Sequence, residues 1–180
     1  MLFELFSEKE LRWLPSIGIG FYQFPQIVYN GNYSAEEKVD LVNSYTKLDV
    51  LDIGIDNANF VQSRENTYGY DITNSSPEWL IQRRLYRHPF KGANSVTFWN
   101  TLQKIQDPRL HLSGAREYVF ITCPIYRDVE HVINSEQFSR HEDFWYFTFN
   151  GLLTFMDAFG FEVIESKISH DIGVFVFKKY

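Results

Sequence analysis

The run Val50-Leu51-Asp52-Ile53-Gly54-Ile55-Asp56-Asn57-Ala58-Asn59-Phe60 constrains this chain more than any other stretch. Residues 48–53 are apolar apart from their acids and lie between polar segments, the pattern of a strand covered on both faces. Gly54 follows at once, where the chain must turn sharply and let its backbone come close to a neighbour. Residues 59–64 leave room for a helix of about two turns at most. Tyr68-Gly69-Tyr70-Asp71 then reads as a second short strand ending in an acid. Strand, glycine turn, helix, and a strand with a terminal carboxylate about 20 residues after the first acid is a layout that binds an adenosine ribose.

The remaining elements fall around that unit. Residues 8–14 are expected to form a short amphipathic helix, with Leu11, Trp13 and Leu14 inward and Pro15 ending it. Residues 17–29 have no clear period, so 1–33 is expected to be an irregular N-terminal cover. Ser34 with Glu37 is a capping box, and Val39, Leu41, Val42 and Tyr45 continue it as a helix. Ser75-Ser76-Pro77-Glu78 starts another, carried on by Trp79, Leu80, Arg83, Arg84 and Leu85 until Pro89 and Gly92 break it. Val96-Thr97-Phe98-Trp99 is a buried strand, and Leu102, Ile105 and Leu110 a helical turn interrupted at Asp107-Pro108. Tyr118 to Thr122 is the plainest strand, stopped by Pro124, and 131–143 is polar and loop-like. Asn150 caps a helix over 151–159 with a stripe of Leu152, Leu153, Phe155, Met156 and Phe159, and Gly160 stands at its C-terminal turn. Residues 161–164 and 173–177 make a closing antiparallel pair. Strands alternating with helices predict an α/β sandwich with a mostly parallel sheet and an antiparallel last strand.

Length and composition narrow the classes of function. The 180 residues fit one domain, 1–180. Hydrophobic residues are 44% and charged ones 22%, as in a globular protein, but 18% aromatic is high and predicts a core of flat side chains or a sticky face for a protein partner. The net charge of −6 disfavours nucleic acid as a general partner. The lone cysteine, Cys123, excludes an internal disulfide and a multi-cysteine metal site. The first 14 residues hold three acids and two bases, unlike a signal peptide or a membrane span, which predicts a cytoplasmic protein without a membrane partner.

Three segments together resemble the class I S-adenosylmethionine-dependent methyltransferases: Val50-Leu51-Asp52-Ile53-Gly54, then Gly69-Tyr70-Asp71-Ile72, then Val96-Thr97-Phe98-Trp99-Asn100-Thr101-Leu102-Gln103-Lys104-Ile105-Gln106-Asp107-Pro108. Residues 118–126 are similar to the family's fifth strand with its proline exit, and 144–161 to its closing pattern of aromatics, Gly-Leu, Met and Gly-Phe. The resemblance runs from about residue 39 to the C-terminus. It implies a Rossmann-like sheet of seven strands, the last antiparallel, and S-adenosylmethionine lying across the C-terminal ends of the first strands. On matching positions it implies Asp52, Gly54, Asp56, Asp71, Ile72 and Asn100 as cofactor-binding residues.

The departures from the family pattern are as informative. The second and third glycines of the first loop are Asp56 and Ala58. The usual Trp-Asp-x-Leu-Glu-His reads Trp99-Asn100-Thr101-Leu102-Gln103-Lys104, with both acids turned into amides. Glu142-Asp143 stands where the late loop commonly has Glu-His, with His141 displaced. The span from Asp71 to Val96 is short, so the family's third strand and its helix are reduced or missing. Two functions therefore stand side by side: a methyltransferase of unassigned acceptor, and an inactive pseudo-methyltransferase serving as a binding or structural module.

Each site residue has a functional and a plain reading. Asp52 holds the cofactor's ammonium, or caps the turn that follows it. Asp71 accepts both ribose hydroxyls, or makes an Asx turn before Thr73-Asn74. Asp56 brings bulk and charge into a loop where glycines normally let backbone N–H groups approach. A unit charge 4 Å from the cofactor carboxylate costs about 4 kcal/mol at an effective dielectric of 20. His111, His131 and His141 are general-base candidates or exposed loop histidines, and no metal is predicted from their spacing. Cys123 is a nucleophile candidate or, more simply, a small core residue. Arg83-Arg84 and Arg87-His88 form the one basic cluster, for an acidic partner or as a solvated helix face.

Overall fold

The computed structural model describes residues 33–55, 58–73, 78–135 and 143–180. Helix α1 (Ala35–Tyr45) opens at the expected capping box: the Ser34 hydroxyl accepts the Glu37 N–H, and the Glu37 carboxylate accepts the Ser34 N–H. Strand β1 (Val50–Ile53) follows, buried at all four positions. Then come α2 (Asn59–Ser63) and β2 (Thr67–Tyr70). After α3 (Glu78–Gln82) and a 3-10 turn at Pro89–Lys91, the chain enters β3 (Ala93–Trp99). A second 3-10 turn (Leu102–Lys104) and α4 (Arg109–Ser113) lead to β4 (Ala115–Tyr126). The rest is α5 (Val129–Asn134), β5 (Phe147–Thr148), α6 (Phe149–Asp157), β6 (Phe161–Ser169) and β7 (Ile172–Lys179).

The seven strands form one mixed sheet in the order β2-β1-β3-β4-β7-β6, with the short β5 paired to the end of β4. β2, β1, β3 and β4 are mutually parallel, and β7 is antiparallel to both of its neighbours. Both faces are covered. On one, Leu51, Ile53, Val96, Phe98, Val119 and Phe175 pack with Leu112 of α4 and with Leu152, Phe155 and Met156 of α6. On the other, Val50, Trp99, Phe120 and Val176 meet Val42 of α1 and Phe60 of α2. A sheet buried on both faces needs the near-continuous apolar runs that β1, β3 and β4 carry.

The shortened middle takes a definite form. Beyond β2, the described residues hold one parallel bridge in place of another strand: the Gly69 N–H donates to Leu85 O at 2.8 Å, and the Arg87 N–H donates to Gly69 O at 3.2 Å. The Arg87 guanidinium lies 3.6 Å over the Tyr68 ring and pairs with Asp49, so the short segment is pinned to the sheet edge.

Several expected boundaries move. Pro124 does not stop β4, which runs on to Tyr126. The Ile125 N–H donates to Asp171 O on the β7 side, so by alternation the missing Pro124 N–H faces the other side, past the end of β3. The stretch expected as loop from 131 holds part of α5, whose N-cap Asp128 accepts the His131 N–H. Thr148, and not Asn150, caps α6, accepting the Gly151 N–H at 3.1 Å. α3 stops at Gln82, short of Arg83 and Leu85, while β6 and β7 are longer than expected. The helix at 8–14, the cover segment at 17–29 and the Ser75-Ser76-Pro77 start lie outside the described residues.

Candidate functional site

In an open parallel sheet, ligands sit outside the carboxyl ends of the strands, so the chemistry of those ends decides what this chain can hold. β1 and β2 are adjacent and parallel, with Asp52 opposite Gly69 and Ile53 opposite Tyr70. Asp71 follows β2 directly. The Gly54 N–H donates to Tyr70 O at 2.8 Å, which brings the turn after β1 beside Asp71. The two acids singled out from spacing therefore stand at the ends of neighbouring strands.

Their surroundings differ. Asp52 is 1% exposed and accepts the Thr97 hydroxyl at 2.6 Å across the β1–β3 pairing. Asp71 is half-buried, and its Oδ1 accepts both the N–H and the hydroxyl of Thr73, each at 2.8 Å. That is the Asx turn, which orients the carboxylate at the strand end. Ile72 is half-buried against the main core.

The described ends of the first loop are held by the protein itself. Gly54 has φ +74°, and a Cβ there would lie 2.3 Å from Thr101 Cγ2 and 2.7 Å from Thr101 Oγ1. Thr101 is 4% exposed and donates its hydroxyl to Trp99 O at 3.0 Å. Close approach at the glycine is thus made by the protein itself. Ala58 sits at φ +60°, a left-handed conformation that suits glycine, and its N–H donates back to Ile55 O at 2.6 Å. Asp56 and Asn57 between them lie outside the described residues.

Asn100 is exposed at φ +54°, and its N–H donates to Thr122 O and Oγ1 at 2.9 and 2.8 Å. The Gln103 amide donates to Asn100 O and Oδ1 at 3.2 and 2.8 Å. Gln103 itself is buried, and its backbone oxygen accepts the Phe144 and Trp145 N–H groups. The Asn100 and Gln103 amides thus bond each other, and Gln103 holds the start of the late loop. Gln103 Oε1 and Trp99 Nε1 are buried with no hydrogen-bond partner among the described residues.

The other candidates resolve into structure. His131 Nδ1 accepts the Arg127 N–H, and Nε2 faces Asp171 Oδ2, both at 3.0 Å. With both ring nitrogens engaged, it ties α5 to the β6–β7 hairpin. His111 packs 5.7 Å from Tyr70, and burial, aided by the charge of His88, lowers its pKa. Burial pushes the Cys123 thiol up and leaves it a core residue. Arg83 bonds Gln62 and lies over Trp79, while Arg87 is held by Asp49. His141 lies outside the described residues. Among those residues no three His, Cys, Asp or Glu side chains are grouped to hold a metal, and no helix is long and apolar enough to cross a membrane.

Sequence reasoning missed Thr97 and Thr101. From sequence Thr97 reads only as a strand residue, and its contact with Asp52 depends on the β1–β3 register. Thr101 gives no signal until the turn at Gly54 is seen in space.

No protein-family model matches the chain, and no curated protein matches it in sequence. Solved structures do. A methyltransferase from Thermotoga maritima is 14% identical with a TM-score of 0.59, over 81% of this chain and 89% of its own. Magnesium protoporphyrin IX methyltransferase from Synechocystis PCC 6803, with SAH bound, is 11% identical at 0.56, over 81% and 82%. A methyltransferase from Aquifex aeolicus is 11% identical at 0.54, over 82% and 90%. The fold is that of the class I methyltransferases.

For S-adenosylmethionine, the cofactor that this fold implies, Asp71 on a strand end beside Gly54, with Ile72 next to it, would suit the nucleoside end. Among the described residues of the first loop, the Gly54 and Ala58 N–H groups are already bonded to protein and would not serve the amino-acid end.

Proposed function

We propose that this chain is a methyltransferase-fold binding module. In this reading it keeps the nucleoside end of an S-adenosylmethionine site and has given up methyl transfer. The observation that carries the reading is the first loop, where Thr101 fills the space over Gly54 and the Ala58 N–H turns back to Ile55 O. Asp71 supports retained nucleoside binding, and the amides Asn100 and Gln103, bonded to each other, support loss of the acids the family carries there.

The second reading is a working methyltransferase of unassigned acceptor. It is favoured by Asp52 and Asp71 on adjacent parallel strand ends, because transfer between well-placed partners relies largely on proximity.

Calorimetry with S-adenosylmethionine and S-adenosylhomocysteine separates the two. Weak or absent binding by the wild type, tightened about tenfold by Asp56→Gly with Ala58→Gly, is the expected result, since relief of 1.4 kcal/mol is a factor of ten. Micromolar binding left unchanged by the double substitution would overturn the first reading.

A further inference from the structure

Two imidazoles face one tyrosine ring at the β2 edge. His88 lies 5.3 Å and His111 5.7 Å from the Tyr70 ring, with Tyr86 6.2 Å from it and Phe90 4.1 Å from His88. The cluster joins β2, its bridge partner, the 3-10 turn at Pro89–Lys91 and α4. We propose that it is an acid-sensitive clasp: with both imidazoles neutral it holds the turn and α4 to the sheet edge, and their protonation releases them.

Neither ring is placed to carry charge. His88 caps the 3-10 turn, accepting the Phe90 N–H at Nδ1 at 3.4 Å, and a proton on that nitrogen removes the acceptor. His111 Nδ1 is buried and has no hydrogen-bond partner among the described residues. An imidazolium donates from both nitrogens, so a charged His111 needs an acceptor that Nδ1 lacks. The groups that face His111 do not help. Tyr70 from β2 presents its ring, and His88 would bring like charge. Asp107, ahead of α4, acts on His111 but is exposed and already accepts the Arg109 Nε–H at 2.8 and 3.0 Å. Residues 79–106 contain no Asp or Glu, so the turn and β3 supply no carboxylate. Asp49 and Asp71 are bonded to Arg87 and Thr73. Burial and then the His88 charge accordingly lower the His111 pKa from its ordinary 6.5. A histidine lowered in this way adds stability above pH 6.5 that is lost as pH falls through the folded value.

The clasp closes over backbone. The Ala93 N–H donates to Gly114 O at 3.0 Å, and a Cβ on Gly92 would lie 2.8 Å from that same oxygen, so the turn and the end of α4 move together. Release therefore uncovers Leu112 of α4, which is 0% exposed in the main core.

Amide exchange of the full chain at neutral pH and near pH 5, corrected for the intrinsic rate at each, reads the opening. The Gly92 and Leu112 opening constants should rise at least about threefold in acid, and through His111 alone by no more than about thirtyfold, the limit set by an ordinary histidine pKa. Phe120 in β4 should not change. His111→Phe keeps a ring without the charge and should remove most of the rise, and His88→Gln should reduce it. The wild-type imidazole signals give a reading that needs no variant: His111 should titrate below pH 6.5. A His111 midpoint at or above the ordinary value, a Leu112 opening constant indifferent to pH, an equal rise at Phe120, or an undiminished acid response in His111→Phe overturns the proposal.

Discussion

Gly54 shows how much a single position can decide. Its φ of +74° is open to glycine and disfavoured for every other residue, and Thr101 occupies the place of a side chain. Gly54→Ala is expected to cost about 3 kcal/mol or more, combining roughly 1–2 for the backbone with about 1–3 for overpacking. Adding Thr101→Ala should recover the overpacking part and leave the backbone part, read from urea midpoints of the single and double variants. Equal loss in both would assign the whole effect to backbone conformation. Ala58 is the converse case: it keeps a left-handed conformation without glycine, and its methyl is buried beside Ile55, Val61 and Leu80. The sequence marks a glycine turn here and departs from the methyltransferase pattern it resembles at Asp56 and Ala58. It could not show that Thr101 closes over the turn, because that contact joins residues 47 apart through the packing of β1 against β3.

At the level of elements, legibility followed the strength of the local signal. The capping box of α1, the buried β1 and the apolar stripe of α6 were all readable, because each rests on residues close in sequence. α5 was missed although Asp128 is a good N-cap, since six residues with one buried side chain make almost no period. Within the α6 stripe the expected burial divides. Phe155 and Met156 are buried, but Phe159 is only half-buried. The Phe155 ring lies 5.3 Å from Trp145, 5.3 Å from Phe147 and 5.1 Å from Phe159. Phe155→Ala should therefore cost about 3–5 kcal/mol, and Phe159→Ala clearly less. Chemical denaturation of both variants checks the order, and a reversal would mean that the outer ring anchors the helix.

For the whole molecule, the reduced middle sets the distribution of stability. β2 has β1 on one side and on the other a single bridge, whereas β3 and β4 are paired on both sides. Native-state amide exchange should be slowest in β3, β4 and β7, with Gly69 and Arg87 opening first through local unfolding. Exchange at Gly69 as slow as at Phe120 would show that Arg87 clamps the edge as firmly as a strand would. The opposite border has its own clasp, the Tyr45 hydroxyl of α1 bonded to Glu165 of β6. Burial, followed by that carboxylate, pushes the Tyr45 pKa from 10.0 to about 12. A raised tyrosine pKa adds stability below about pH 10 that is lost as pH climbs through the folded value. The clasp therefore doubles as an optical gauge. Near pH 11 most of a detached Tyr45 would absorb as phenolate while a docked one stays dark, so Glu165→Gln should bring one tyrosine's absorbance step down toward the ordinary range, making the seating of α1 visible in an ultraviolet titration.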